Sequence, residues 1–221
     1  MKFRHECKHR INLADITRLR TRLEAVAERD PHSGEDGTYL VKSLYFDNYK
    51  DKVLREKTDG VNNREKFRIR YYGSDTSFMR LEKKSKIGGL CSKESTPITA
   101  DECRRIMDGD IGFLIESEKD LFRELYAKMN FQLLRPKCIV AYERECFVYP
   151  QGNVRVTLDT GISGSYNISR FLDPGLCLLN LYHTAILEIK WDEFLPQVIR
   201  GAVQLRSRKT TSFSKYAAVR F

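Results

Sequence analysis

The chain has 221 residues, 41% of them hydrophobic and 11% aromatic, enough apolar mass for a folded core and too much for a disordered chain. Its 39 Lys and Arg exceed its 30 Asp and Glu, a formal charge of +9 that favours an anionic partner: nucleic acid, a membrane surface or phosphates. The length fits one domain over residues 1–221.

Residues 2–9 alternate as a strand. Asn12, with Asp15 three positions on, opens a helix in capping-box fashion; Ile16, Leu19, Leu23 and Val26 give its apolar stripe, and the helix is expected to end near Arg29. Asp30-Pro31 and the segment from Gly34 to Gly37 form a loop. Strands are predicted over 39–47, 64–72, 77–87 and 90–97, the last two joined by a hairpin at Gly88-Gly89. Residues 99–108, opened by Thr99 with Glu102, and 118–130 read as helices. Strands resume at 137–149, 153–160 and 182–192, with a turn at Gly152-Asn153. Residues 195–205 read as a helix and the tail, 212–221, suits another short one. The order implies an α+β fold dominated by antiparallel hairpins.

No apolar run reaches the length of a transmembrane segment, and no apolar leader follows Met1. The six cysteines are scattered, with no CxxC pair for zinc. A cytoplasmic chain with reduced thiols is the expectation. The four histidines (His5, His9, His32, His183) lack metal-like spacing and read as structural or surface groups.

Strand parity carries more information. Arg64, Lys66, Arg68 and Arg70 share one strand face and Phe67, Ile69 and Tyr71 the other. Arg80, Glu82, Lys84 and Lys86 likewise oppose Met79 and Leu81, and Arg155, Thr157 and Asp159 oppose Val154, Val156 and Leu158. Glu188 and Lys190 share a face with Ile186. Each such strand alone suits a solvated outer face. Together they form a same-sign array that carboxylates or a bound polyanion must neutralise. Parity leaves open which face is inside.

Arg4-His5-Glu6-Cys7-Lys8, Phe67-Arg68-Ile69-Arg70-Tyr71, Leu81-Glu82-Lys83-Lys84-Ser85, Tyr142-Glu143-Arg144, Arg155-Val156-Thr157-Leu158-Asp159, Leu187-Glu188-Ile189-Lys190 and Ser212-Phe213-Ser214-Lys215-Tyr216 follow in order. Each is weak alone; the ordered set resembles the VTC domain, the polyphosphate polymerase branch of the triphosphate tunnel metalloenzymes. Leu44-Tyr45-Phe46-Asp47 is similar to a second-strand signature of bacterial members. The resemblance implies a closed antiparallel eight-stranded β-barrel with flanking helices. Lys8, Arg68, Arg70, Lys84, Arg144 and Arg155 would bind phosphate, with Lys93 and Lys86 completing the lining. Lys215, beside Ser214, would come from a C-terminal helix plugging the tunnel. Lys8, Arg68, Arg70, Lys84 and Lys215 would serve the reaction. Glu188, with Glu6 as a second ligand or an ion-pair partner, would hold Mn2+ or Mg2+.

The implied activity is metal-dependent transfer of the ATP γ-phosphate to polyphosphate. Tripolyphosphate or nucleoside-triphosphate hydrolysis in the same tunnel, or non-catalytic polyphosphate sensing, are the alternatives. Arg4 stands where the related CYTH enzymes carry the first Glu of ExExK, which points away from cyclase-like chemistry. Lys83, of opposite parity to Lys84, reads as outward, and the 206–209 segment as a solvated basic turn or an entrance funnel for polyphosphate. Nucleic acid is not the expected partner, since the basic faces lack interleaved aromatics. A membrane-protein partner receiving the polymer is left open.

Overall fold

The structure, a computed structural model, describes residues 4–88, 90–180, 185–206 and 208–220. In chain order its elements are β1 (His5–Ile11), α1 (Leu13–Glu24), β2 (Glu28–Arg29), β3 (Thr38–Asp47), α2 (Lys52–Thr58), β4 (Arg64–Tyr72), β5 (Asp75–Ile87), β6 (Leu90–Ile98), α3 (Ala100–Asp108), α4 (Gly112–Glu116), α5 (Asp120–Phe131), β7 (Arg135–Tyr149), β8 (Val154–Ser165), β9 (Leu179–Asn180), β10 (Ala185–Trp191), α6 (Gln197–Val203) and α7 (Lys215–Arg220). The helix starts at Asn12 and Thr99 are full capping boxes: each side chain accepts from the backbone three residues on, and Asp15 or Glu102 returns the bond. The first helix stops at Glu24 rather than near Arg29. Glu28 and Arg29 instead pair with Val148 and Phe147, so the β-ladder takes the residues that follow the apolar stripe.

Eight strands form one antiparallel path, β1-β10-β8-β7-β3-β4-β5-β6, with β2 and β9 as short additions. The path curls into a half-barrel that stays open between β1 and β6, which corrects the closed barrel expected above. Among the described residues an isolated bridge, Arg4 to Cys91, spans that seam. The cause lies on the edge of β1. Thr211 donates to the Lys8 carbonyl at 2.8 Å and His9 bridges Thr210, so the segment before α7 uses the edge that β6 would need. A side-chain bond takes the place of a ladder, Lys84 Nζ donating to Glu6 Oε2 across the seam at 2.7 Å.

The apolar parity faces point outward, under the helices. Phe67, Ile69, Tyr71 and Leu81 pack with Leu114, Phe122 and Leu125 of α4 and α5. Val156, Leu158, Leu187 and Ile189 pack with Leu19 and Leu23 of α1 and Ile199 of α6. Burying these rings and branched chains at about 25 cal/mol per Å² drives the helices onto the convex side, which leaves the charged faces lining the concave side. At one end α2 and α7 fill the concavity, with Val53, Leu54, Tyr216 and Val219 against Val140, Tyr142 and Ile186. Two features hold that plug. Gly164 lets α7 close on β8, where a Cβ would stand 2.4 Å from the Val219 side chain. Asp47, fully buried, accepts from the backbone N–H groups of Val53 and Leu54 and from the Tyr216 hydroxyl at 2.5 Å.

Candidate functional site

Alternation on β4 and β5 places Arg68, Arg70, Glu82 and Lys84 on the concave face. The curl of the sheet brings them opposite Lys8, Arg144, Arg155 and Glu188 around a cavity of about 330 Å³, the inner chamber. Lys93, Glu6, Ser214 and Lys215 line the same chamber, so it gathers every expected site residue but one. The exception is Lys86. It lines an adjoining cavity of about 550 Å³, the outer chamber, because two further residues along β5 carry it to the level of Arg64 at the start of β4.

Three acidic hubs organise the inner chamber. Glu82 is 2% exposed and accepts from Arg68 Nε at 2.7 Å and Lys93 Nζ at 2.5 Å, with Arg70 at 3.7 Å. Asp159 takes both prongs of Arg144, at 2.6 and 2.7 Å, and Lys215 Nζ at 2.6 Å. Lys8 Nζ lies between the third pair, 3.0 Å from Glu6 and 3.2 Å from Glu188, while Lys190 reaches Glu188 at 3.1 Å. Tyrosines finish the packing. The Tyr45 hydroxyl accepts from Arg68, and Lys215 sits 4.5 Å over the Tyr142 ring. Arg155, at the rim, donates to Asp30 at 2.6 Å and to Tyr39 at 2.9 Å.

Glu82 and Asp159 were visible in the sequence as the acids on cationic strand faces. Asp30 was not, since it comes from the loop after β2 and its pairing with Arg155 spans 125 positions. Lys83 points the other way, to Glu124 on α5 at 2.7 Å. Arg208 is no free part of a basic turn, because it donates to Asp15 of α1 at 2.8 Å; Ser207 lies outside the described residues. Arg4, at the position of the missing acid, reaches Asp192 at 2.8 Å. His5 stacks on Trp191, His9 contacts Cys7 and His32 contacts Asp30; His183 lies outside the described residues. The six cysteines are free thiols.

The electrostatics are those of a predominantly basic chamber with acids at its hubs. Eleven Lys and Arg line the inner chamber, against three lining Glu and, behind them, Asp159, Asp30 and Asp192 paired with Arg144, Lys215, Arg155 and Arg4, so the cations still outnumber the acids. Burial would raise the Glu6 carboxyl, but Lys8, Lys84 and Lys190 outweigh both burial and nearby Glu188 and hold it at about 2. Burial is likewise overcome at Glu188, held well below the usual carboxylate range by Lys190, Lys8, Lys215 and Arg144. Lys66 shows the reverse: half-buried, with its amine desolvated and beside Lys84, Lys8 and Arg68, it falls to about 8. The Nε of Arg70 is buried without a hydrogen-bond partner, a donor ready for an acceptor oxygen.

Among the described residues no three His, Cys, Asp or Glu side chains gather as a metal cluster. Glu6 and Glu188, ionised and sharing Lys8, offer two carboxylates. That donor set fits Mg2+ or Mn2+ in the mode in which one or two carboxylates are completed by substrate phosphates and water. It does not fit an all-protein cage.

A curled antiparallel sheet with its apolar face under the helices and a basic chamber on its concave side defines an open α+β half-barrel. The VTC domain family matches residues 3–220, nearly the whole chain, and the chain belongs to that family. Solved structures that share the fold include two with TM-scores above 0.5. One is the PH1012 protein of Pyrococcus horikoshii, 13% identical, with 98% of this chain and 99% of that one covered at a TM-score of 0.53. The other, from Bacillus halodurans and described as a candidate adenylate cyclase, is 15% identical, with 86% and 80% covered at 0.52. No curated protein matches this chain.

Proposed function

We propose that the chain is a metal-dependent phosphotransferase that extends polyphosphate with the γ-phosphate of ATP, within the triphosphate-binding role that its family and fold suggest. The observation that carries this reading is the convergence of Lys8, Arg68, Arg70, Lys84, Arg144 and Lys215 in one chamber with two depressed carboxylates at its wall. Phosphoryl transfer asks mainly for positioning and charge neutralisation, and this chamber supplies both.

Arg68, Arg70 and Arg144 are planar forks suited to phosphate oxygens, and a bound triphosphate would compete with Glu82 and Asp159 for them. Lys8, Lys84, Lys93 and Lys215 add mobile point charges, and Arg155 and Ser214 complete the contacts at the rim and the plug. A terminal oxygen of the acceptor chain attacks the γ-phosphorus, the bond from that phosphorus to the bridging oxygen breaks, and ADP leaves with the electron pair. Lys215, fixed between Asp159 and the Tyr142 ring, is placed to neutralise charge at the reacting phosphate. Glu188 and Glu6 would hold Mn2+ or Mg2+, which when bound would supply positive charge to offset charge developing on the phosphates.

Incubating the protein with ATP and Mn2+ should yield ADP and polyphosphate in equal phosphate equivalents. Glu188→Gln should cut turnover by about 10²-fold or more and keep tripolyphosphate binding. Free phosphate without polymer would replace this reading with a hydrolase. Tight binding without any turnover would replace it with a sensor.

A further inference from the structure

The connections at the two ends of the sheet differ in composition. Alternating strand direction places the end of β3, α2, the β5–β6 hairpin and the α5–β7 turn at one end, around the plug formed by α2 and α7. The opposite end carries the connections 30–37, 73–74, 150–153 and 192–196, which contain Asp30, Glu35, Asp36, Asp192 and Glu193 and no Lys or Arg. The mouth of the outer chamber lies at the plug end, where Lys57 of α2, Arg64 at the start of β4 and Lys86 at the end of β5 line it. Lys50 and Arg135 are exposed at the same end. Lys50, Lys57 and Lys86 have no carboxylate partner among the described residues. The acids nearby are engaged: Asp51 by Lys137 and Arg220, Glu56 by Lys52 and Asp59 by the Thr58 hydroxyl.

Large apolar side chains are exposed at the plug end on separate loops. Tyr49 follows β3, Ile87 and Leu90 flank the tip of the β5–β6 hairpin, and Phe131 and Leu133 lie at the end of α5. Lys52 Nζ donates to Gln132 Oε1 at 3.1 Å, which brings the Tyr49 and Phe131 loops together, and Lys50 stands 5.4 Å over the Tyr49 ring. The opposite end exposes Phe78, Phe194 and Val198 beside its acidic connections. Leu133 is the most strained of the set. It follows the C-cap of α5 with φ +55, where helices usually place glycine, and is 48% exposed. A leucine held in a left-handed conformation with its side chain half in water gains little for the isolated fold, whereas a surface that takes up the side chain accounts for it.

We infer that the plug end docks the protein on an anionic lipid bilayer, with apolar side chains of the separate loops entering the headgroup region and the unpaired cations meeting acidic headgroups. Apolar side chains spread over several loops, rather than merged in one groove, suit a fluid planar surface that each can enter independently. Among the described residues no helix is long and apolar enough to cross a membrane, so the contact is peripheral. The same surface repels the acidic end, which fixes the orientation. Docking of this kind is independent of the reaction in the inner chamber.

Co-sedimentation of the full chain with vesicles tests it. Vesicles of phosphatidylcholine mixed with phosphatidylglycerol should bind the protein, those of phosphatidylcholine alone far less, and added salt should weaken the binding. The double variant Phe131→Ser, Leu133→Gly should lower partitioning about tenfold or more, the loss of two inserted apolar side chains. Leu133→Gly alone should raise the midpoint of thermal unfolding while lowering partitioning, a pair of opposite changes that a misfolded variant cannot give. Lys50→Gln should cost about fivefold at low ionic strength, and Phe194→Ser at the acidic end should cost nothing. With saturating tripolyphosphate the wild type should keep most of its binding; complete loss would mean that the chambers hold the headgroups and would overturn the docking face. Equal binding by the wild type and the double variant, or to both kinds of vesicle, would overturn it too. Self-association in light scattering without vesicles, abolished by Leu133→Gly, would assign the face to a second copy instead.

Discussion

The inner and outer chambers are lined by the same residue types on the same strands, yet they balance charge in opposite ways. Inside, Glu82, Asp159 and the pair Glu6–Glu188 each hold two or more cations in hydrogen-bonded contact. Outside, Arg64, Lys66 and Lys86 face one another or another cation across the ladder without such a hub. The difference follows depth. A buried guanidinium without a counter-charge costs several kcal/mol, so the deep array cannot form unless acids come with it. Arg64 and Lys86, both half-buried, keep part of their hydration and repel each other through a higher effective dielectric, whereas Lys66 is desolvated enough for its amine to fall to about 8. Internal carboxylates keep the deep site assembled while it waits for ligand, whereas the mouth leaves its charge to the ligand itself.

Removing a hub should therefore produce the largest effect. Asp159→Ala takes the bidentate partner from buried Arg144, which keeps only Glu188 at 3.7 Å, and the ion pair from half-buried Lys215, and stability should fall by about 3–5 kcal/mol in denaturant unfolding. Tripolyphosphate should restore more of the lost stability than it adds to the wild type, because it neutralises the same two cations. A loss below about 1 kcal/mol would mean that the hubs are not what holds the inner array, and the contrast between the chambers would fail.

How much of this was legible in the sequence follows from the same physics. Strand parity put Arg68, Arg70, Glu82 and Lys84 on one face, and the ordered motifs implied that the face was concave. The inversion itself came from tertiary packing, because Phe67 and Ile69 alternate the same way whether helices or water cover them. The open seam was not legible either. It depends on Thr210 and Thr211 docking on β1, about two hundred positions away in sequence. Short α2 was missed because Lys52–Thr58 offers few apolar positions; it is held in place by Asp47, which accepts from its backbone, and by Val53 and Leu54. Lys86 is placed in the lining by the resemblance, and its position in the adjoining chamber rather than the inner one reflects depth along β5, which neither parity nor motif order specifies.

Lys66, shared by both chambers, should give an intermediate effect of opposite sign. Burial, with Lys84, Lys8 and Arg68 nearby, holds its amine at about 8, below the ordinary 10.5. Between those values the unfolded chain binds more protons than the folded one, so this residue makes stability rise with pH from about 8 to 10.5. Its cost is full at neutral pH. Lys66→Met should stabilise the ligand-free protein by about 2 kcal/mol at pH 7, after allowing for the lost contact with the Tyr45 ring, and the gain should vanish above about pH 10.5. Unfolding curves across that range measure it directly. A variant less stable than wild type at pH 7 would show that Lys66 has a compensating partner.

The smallest effect is expected at Lys57, where the contrast is most exposed to failure. Lys57→Ala removes a cation from the last turn of α2, which forfeits a favourable interaction with the helix C-terminus of about 0.3–1 kcal/mol. It also relieves repulsion from Arg64, Lys8 and Lys86, a gain of similar size at low ionic strength. The two should cancel to within about 0.5 kcal/mol in the ligand-free protein, and added salt should shrink both terms together. The same substitution should still lower the stabilisation conferred by long-chain polyphosphate, since ligand-free stability and ligand response are separate properties of an unpartnered cation. A ligand-free loss above about 1 kcal/mol would reveal a counter-charge at the mouth, and the outer chamber would then obey the same rule as the inner one.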